Sequence, residues 1–315
     1  MTEFELIERV FAPLAAADAA GVVLGVGDDG AVLAPPAGRD LVVVTDTMVA
    51  GRHFPKGMAP ADIGYRALAV NVSDLAAMGS EPLWFQLALT LPAIDESWVR
   101  AFAAGLGEAA SEYRLALIGG DVTRGPVTIT VTAIGAVAPG AALTRAGARP
   151  GDAVFVSGRL GEAGLAIAAD GGRIEAPGPD ALGRWRGRLA RPAARAALGA
   201  RLVGIATAAI DVSDGLVQDL GHIARRSGVA IILEQAALPI ADPGLPLAVE
   251  MALTGGDDYE LTFTAAAADA ARIGRLATPV PVTRIGRVEA GDPGVTVLAP
   301  EGHPLDLARG GYSHF

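Results

Sequence analysis

A chain of 315 residues with 51% hydrophobic and 19% charged side chains holds enough apolar material for two buried cores, which excludes a mainly disordered protein. Its net charge of −10 argues against a broad nucleic-acid-binding surface. There is no cysteine, so disulfides, zinc-thiolate centres, iron–sulfur clusters and a thiolate nucleophile are excluded.

The chain opens with Phe4, Ile7, Val10 and Leu14 at helical spacing, and with acid where a secretory leader carries base. No apolar run approaches the length of a membrane span, so a soluble cytoplasmic protein is expected. The runs Leu41–Val44, Leu83–Leu91, Leu115–Ile118 and Val127–Val137 predict strands, and 61–78 and 96–113 predict helices. A Pro- and Gly-rich stretch from Val137 to Asp152 then predicts a boundary between two α/β halves, residues 1–148 and 149–315. The second half resumes with a strand at Ala153–Ser157 and helices at 162–169 and 217–226. Between these helices Arg184, Arg188, Arg191 and Arg195 fall on one helical face, read here as solvated surface rather than an anion site. Gly158, Gly161 and Gly164 follow a strand without matching the dinucleotide fingerprint, and a single lysine, Lys56, leaves no Walker-type phosphate loop.

The aspartates carry the chemical information. Asp46, Asp121 and Asp211 each follow an apolar run, where a buried strand is expected to hand over to a loop. Ligands of α/β sheets gather at such strand ends. Asp28-Asp29 lies between glycines in Gly25-Val-Gly-Asp-Asp-Gly30, Asp74 closes Asn71-Val-Ser-Asp74, Asp214 follows in Asp211-Val-Ser-Asp-Gly215, and Asp257-Asp258 follows Thr254-Gly-Gly256. Singly, each is ordinary turn or helix-cap chemistry. Together they imply more, because two carboxylates about 4 Å apart repel by roughly 4 kcal/mol at an effective dielectric near 20. If they converge they must protonate or bind a cation. Oxygen donors without His or Cys select Mg²⁺ or a similar hard ion, which shares its remaining positions with water and substrate phosphates. His53, in Gly51-Arg-His-Phe-Pro55, is either a plain loop residue or a substrate contact.

In order and at matching spacing, these motifs resemble the thiamine-monophosphate kinase family over nearly the whole chain. They comprise Gly25-Val-Gly-Asp-Asp-Gly30, Thr45-Asp-Thr-Met-Val-Ala-Gly-Arg-His-Phe54, Ala67-Leu-Ala-Val-Asn-Val-Ser-Asp-Leu-Ala-Ala-Met-Gly79 and Ile118-Gly-Gly-Asp-Val-Thr-Arg-Gly125. They continue with Leu143-Thr-Arg-Ala-Gly-Ala-Arg-Pro-Gly-Asp152, Ala209-Ile-Asp-Val-Ser-Asp-Gly-Leu216, Gly255-Gly-Asp-Asp-Tyr-Glu-Leu261 and the terminal Gly311-Tyr-Ser-His-Phe315. That family belongs to a superfamily with aminoimidazole ribonucleotide synthetase, selenophosphate synthetase and a hydrogenase-maturation enzyme. The absence of cysteine sets the last two apart from this chain. Aminoimidazole ribonucleotide synthesis, or a non-catalytic nucleotide- or thiamine-binding relative, stays as the alternative.

The resemblance implies an α/β (α+β) architecture of two domains. An amino-terminal sheet domain dimerises into a barrel-like interface, and a carboxyl-terminal α/β domain packs beside it. It implies an ATP- and Mg²⁺-dependent transfer to thiamine monophosphate by a homodimer. By position, Asp29, Thr45, Asp46, Asp74, Asp121, Asp211 and Asp214 match the family's metal ligands. Gly120, Asp121, Arg145 and Ser213 match its ATP contacts, with Asp46, Asp121 and Arg145 expected to carry catalysis. His53, Asp257 and Tyr312 match its thiamine-phosphate contacts. Two departures stand out: Asp257 occupies a position where the family usually has Glu, and the loop from Ser157 to Gly164 is about two residues shorter than in similar proteins.

Overall fold

The computed structural model describes residues 3–15, 19–276, 280–307 and 311. The chain divides into two compact units, one of Met1–Leu75 and Ser80–Gly140, the other of Ala76–Gly79 and Ala141–Phe315. No helix among the described residues is long and apolar enough to cross a membrane.

The first unit begins with α1 (Glu3–Leu6), prolonged by irregular helical turns to Leu14, and a small hairpin-like pair, β1 (Val22–Leu24) and β2 (Val32–Leu33). Its main sheet comprises β3 (Asp40–Val49), β4 (Glu81–Leu91), β5 (Ala116–Arg124) and β6 (Thr128–Val137) in the order β3-β6-β4-β5. Only the β4–β5 pair is parallel, because a helical crossover joins those two strands. Two long helices, α2 (Pro60–Ala77) and α3 (Glu96–Tyr113), complete the unit, although the last two residues of α2 belong to the second. Asp95 caps α3 by accepting from the amides of Ser97 and Trp98, and Val99, Phe102, Ala103, Leu106 and Ala110 recur on its buried face. The helices meet backbone to backbone at glycines. A Cβ on Gly105 would lie 1.8 Å from the Ala61 carbonyl oxygen, and one on Gly64 would lie 2.0 Å from that of Phe102.

The pleat gives the four-stranded sheet two unlike faces. Val42, Met48, Leu87, Leu89, Ile129, Val131 and Ala133 are buried on one face. The other carries Leu41, Val43, Thr45 and Thr47 of β3 with Thr130, Thr132, Gln86, Ala88 and Asp121. On that open face Leu41 and Val43 are 45% and 60% exposed.

The second unit is built on a six-stranded sheet: β7 (Asp152–Ser157), β8 (Ala206–Asp211), β9 (Ala230–Glu234), β10 (Leu261–Ala266), β11 (Val282–Glu289) and β12 (Gly294–Leu298). Their order is β12-β9-β11-β7-β10-β8, antiparallel except at β12–β9. The helices are α4 (Glu162–Asp170), α5 (Pro179–Ala190), α6 (Ala196–Leu202), α7 (Leu216–Ser227), α8 (Ala248–Thr254) and the short α9 (Ala270–Ile273). All six residues of β7 are buried, since both faces of this sheet are covered. Val154 and Val156 join one core with Leu216, Leu220 and Ile223 of α7, while Ala153 and Phe155 join the other with Leu198 and Leu202 of α6.

Two expectations need correction. β3 runs on to Val49 and β5 to Arg124, so Asp46 and Asp121 lie inside strands rather than just beyond them; Asp211, the last residue of β8, does sit at a strand end. The arginines are not a solvated face either. Arg184 bonds Glu162 and Asp242, while Arg188 and Arg195 both turn inward onto Glu260, which is 1% exposed.

Candidate functional site

In the first unit, β3 divides its polar residues between the two faces of the sheet. The Asp46 amide donates to Asn71 Oδ1 of α2 at 3.0 Å, and Asn71 is itself steadied by donating to the Ala67 carbonyl. Asp74 lies one helical turn beyond Asn71 and is half-buried between the buried Ser73 and Leu75. Asp46 and Asp74 are therefore drawn to the same side of the sheet. Thr45 and Thr47 occupy the other side, where their hydroxyls bond Thr132 and Thr130 at 3.0 and 2.8 Å. Asp121 shares that open face: the register runs from Thr47 through Thr130 and Ala88 to Asp121. Since β3 and β5 are separated by two strands, Asp46 and Asp121 stand roughly 14 Å apart at three strand spacings, on opposite faces. Gly120 has a packing role, since a Cβ there would meet the Leu87 carbonyl oxygen at 1.8 Å.

His53 is fixed by its own turn. Its Nδ1 accepts the Val49 amide at 2.9 Å and its amide donates to the Val49 carbonyl. An acceptor at Nδ1 leaves the proton on Nε2, a donor suited to a phosphate oxygen. Asp29 lies in an exposed turn, where its amide donates to Asp28 Oδ1.

In the second unit the predicted residues gather around the loop between β8 and α7. Asp211 is 3% exposed, and Ser213, Asp214 and Gly215 follow it. Their three amides donate to one oxygen, Oδ2 of Asp219, at 3.0, 3.1 and 3.1 Å. Burial, then the charges of Asp211 and Asp214, push the Asp219 carboxyl up to about 8, against the pull of the Asp214 and Gly215 amides. The 256–259 turn lies on the same loop: Asp257 donates its amide to the Ser213 carbonyl at 2.8 Å and Tyr259 to that of Val212. Gly256 approaches so closely that a Cβ would sit 2.5 Å from the Ser213 carbonyl oxygen. Asp257 and Tyr259 both take left-handed backbone angles, φ +60° and +50°, which side chains other than Gly, Asn and Asp seldom adopt.

What holds that strained turn lies beneath it. Glu260 accepts from Ser157 Oγ at 2.5 Å, from Arg188 at 3.0 Å and from Arg195 at 2.6 Å through Nε. Asp258 takes the Gly161 amide on both oxygens, and its carboxyl is pushed well above the usual range by burial. Arg145 lies beside α7, where its carbonyl accepts from Ser227 Oγ at 3.3 Å. Burial lowers the basicity of His222, with Arg225 and Arg145 adding to that effect and Asp214 opposing it, so the His222 ring lies in the fields of both Arg145 and Asp214. Gly311 packs where a Cβ would fall 2.7 Å from the Asp214 carbonyl oxygen. Its neighbour Tyr312 lies outside the described residues.

Among the described residues, no three Asp, Glu or His side chains form a ready-made metal cage. The donors offered are nonetheless all oxygens, from carboxylates and a threonine hydroxyl. That set fits Mg²⁺, which keeps waters and takes phosphate oxygens to complete its octahedron. Asp219, Glu260, Asn71 and Ser227 were given no role by the sequence reading, and Asp258 entered it only as one of the Asp257-Asp258 pair. Only Asp219 carried a signal, an acidic side chain in the first turn of a helix, where it complements the free amides.

The AIR synthase related protein N-terminal domain family matches residues 27–137 and the corresponding C-terminal domain family matches 149–298, which places the chain among the AIR synthase related proteins. Thiamine-monophosphate kinase of Escherichia coli K12 is 42% identical over 99% of this chain and 98% of its own length. The chain belongs to the thiamine-monophosphate kinase family. A crystal structure of thiamine-monophosphate kinase from Stenotrophomonas maltophilia superposes with a TM-score of 0.86 at 46% identity, covering 94% of this chain and 96% of that one. The structure of AaThiL complexed with AMPPCP and TMP gives 0.78 at 32% identity, covering 99% and 97%.

Proposed function

We propose that this chain is an ATP-dependent kinase that phosphorylates thiamine monophosphate to thiamine diphosphate, releasing ADP. The observation that carries the reading is end-to-end similarity to thiamine-monophosphate kinases, 42% identity over 99% of the chain for the Escherichia coli protein. A related structure holding an ATP analogue together with TMP supports the pairing of substrates.

The phosphate oxygen of thiamine monophosphate attacks the γ-phosphorus of ATP. A new P–O bond forms as the bond from that phosphorus to the β,γ-bridging oxygen breaks, and ADP leaves with the electron pair. A phosphate monoester with its second pKa near 6 is largely ionised at pH 7, so no general base is required. What remains is positioning and charge stabilisation along the in-line path. Arg145 is assigned to the ATP phosphates, where a guanidinium binds two oxygens at once, with Gly120, Asp121 and Ser213 as further contacts. His53 Nε2–H, Asp257 and Tyr312 are assigned to thiamine monophosphate. Asp29, Thr45, Asp46, Asp74, Asp121, Asp211 and Asp214 would hold Mg²⁺, which when bound neutralises the phosphate oxygens gathered in this acidic site. The working form is a homodimer in the cytoplasm. Pairing through the open face of the first unit's sheet, where Leu41 and Val43 are exposed, would cover it.

The test is ADP release with Mg²⁺ on adding thiamine monophosphate, with the formylglycinamidine precursor of aminoimidazole ribonucleotide as the comparison substrate. γ-Labelled ATP alone should leave no label on the protein, and with thiamine monophosphate the label should appear in the diphosphate. Turnover of only the comparison substrate would overturn the reading.

A further inference from the structure

We infer that Ser227, the last residue of α7, is a positioning residue for ATP through its hold on the loop that carries Arg145. The inference rests on the assignment of Arg145 to the ATP phosphates. Residues 141–148 form no helix or strand, so Arg145 depends on local bonds for its place. On one flank the loop leans on β8. The Ala209 amide donates to the Thr144 carbonyl at 2.9 Å, and Gly147, at φ +123°, approaches until a Cβ would lie 2.3 Å from the Thr207 carbonyl oxygen. On the other flank stands one hydroxyl. Ser227 Oγ accepts from the Gly147 and Ala148 amides, each at 3.2 Å, and donates to the Arg145 carbonyl at 3.3 Å. That uses the donor and both lone pairs of a serine. The helix itself makes no use of this hydroxyl, because α7 is closed by Gly228 in a left-handed cap donating to Ala224.

The other end of the same helix grips the other nucleotide loop. Asp219 gathers the amides of Ser213, Asp214 and Gly215, while Leu216, Leu220 and Ile223 lock the helix into the core. Eight residues separate Asp219 from Ser227, a rise of roughly 12 Å at 1.5 Å per residue. One rigid helix thus spaces the Arg145 loop from the Ser213 loop. Loss of the Ser227 hydroxyl removes the α7 anchor of the first loop, leaving its contact with β8 and the Thr144 hydroxyl's bonds to Ala146, and keeps the second loop in place.

Ser227→Ala should raise KM for ATP by about 3- to 10-fold, leave KM for thiamine monophosphate within twofold, and leave the melting temperature nearly unchanged. Ser227→Thr, which keeps a hydroxyl, should restore most of the ATP affinity. In an Arg145→Ala background, Ser227→Ala should have little further effect, because the clasp then holds nothing that touches ATP. The inference is overturned if both KM values rise together, if ATP affinity does not change, or if the two substitutions multiply. Should the wild type fail to phosphorylate thiamine monophosphate, the proposed function falls. Calorimetric titration with Mg-ATP then reads the same contrast among Ser227 variants, and a wild type that binds no ATP overturns both.

Discussion

Asp219→Asn isolates the charge of the carboxyl on which three amides converge. The replacement keeps an oxygen acceptor for the Ser213, Asp214 and Gly215 amides and exchanges the ionisable hydroxyl for an NH2 that does not titrate. In the folded, metal-free protein the carboxyl titrates near 8, raised by burial and by Asp211 and Asp214, whereas in the unfolded chain it titrates near 3.8. The native state therefore holds a proton that the unfolded state has already released, and stability present below pH 4 is lost as pH rises towards 8. The slope is about 1.4 kcal/mol per pH unit, or about 3 kcal/mol between pH 5 and pH 7. For a unit of this size that is roughly 6–12 °C in melting temperature. The asparagine variant lacks this proton linkage. In EDTA, its melting temperature minus that of the wild type should therefore grow by that amount from pH 5 to pH 7 and level off above pH 8. Parallel melting curves for the two proteins across this range would show that Asp219 is already ionised in the fold and refute the reasoning.

Other outcomes follow from the same structure. Asp46→Asn or Asp121→Asn should abolish nearly all turnover while leaving the metal-free melting temperature close to wild type; full activity of Asp46→Asn with Mg²⁺ would sink its role as a ligand. Glu260→Gln strips the counter-charge from Arg188 and Arg195, so urea unfolding should show a loss of about 3–5 kcal/mol, and an unshifted midpoint would contradict it. Tyr312→Ala should raise KM for thiamine monophosphate roughly 2- to 30-fold, as expected for an aromatic face against a thiazolium, with ATP unaffected and Tyr312→Phe close to wild type. An equal rise for both substrates would rule out that contact.

The helices were legible because their apolar residues recur every three or four positions: 96–113 matches α3 in full. β4 and β6 were legible almost to their ends, whereas β3 and β5 were legible only as far as their buried faces allowed. β3 and β5 were expected to stop at Val44 and Ile118, where apolar runs give way to Thr45-Asp-Thr47 and Gly119-Gly-Asp121. Thr45, Thr47 and Asp121 belong to the open face of a continuing strand, and a rule built on burial reads an open face as a loop. For the arginines, the helical face did not form as expected, because α5 ends at Ala190 and Arg195 precedes α6, and periodicity could not show what they meet, since Glu260 lies 65 residues from Arg195 in the chain. Ordered motifs sufficed to identify the family. Ser227 left no signal and Asp219 only its place in the first turn of a helix, for another reason: each acts on backbone amides of a distant or looping segment, and a backbone amide leaves no mark in a sequence.

The place of β7 inside its sheet bears on how the protein is made. The first unit has all its strands once Val137 has been synthesised. β7 emerges soon afterwards, yet its two neighbours, β10 and β11, arrive only at Leu261–Ala266 and Val282–Glu289. At about 5–20 residues per second, the ribosome leaves this strand, buried on both faces in the finished fold, without partners for roughly 5–25 s. During translation the second unit is thus an obligate latecomer and a natural client for a chaperone. A nascent chain arrested before Glu289 should expose β7 to proteases while its first unit already resists them.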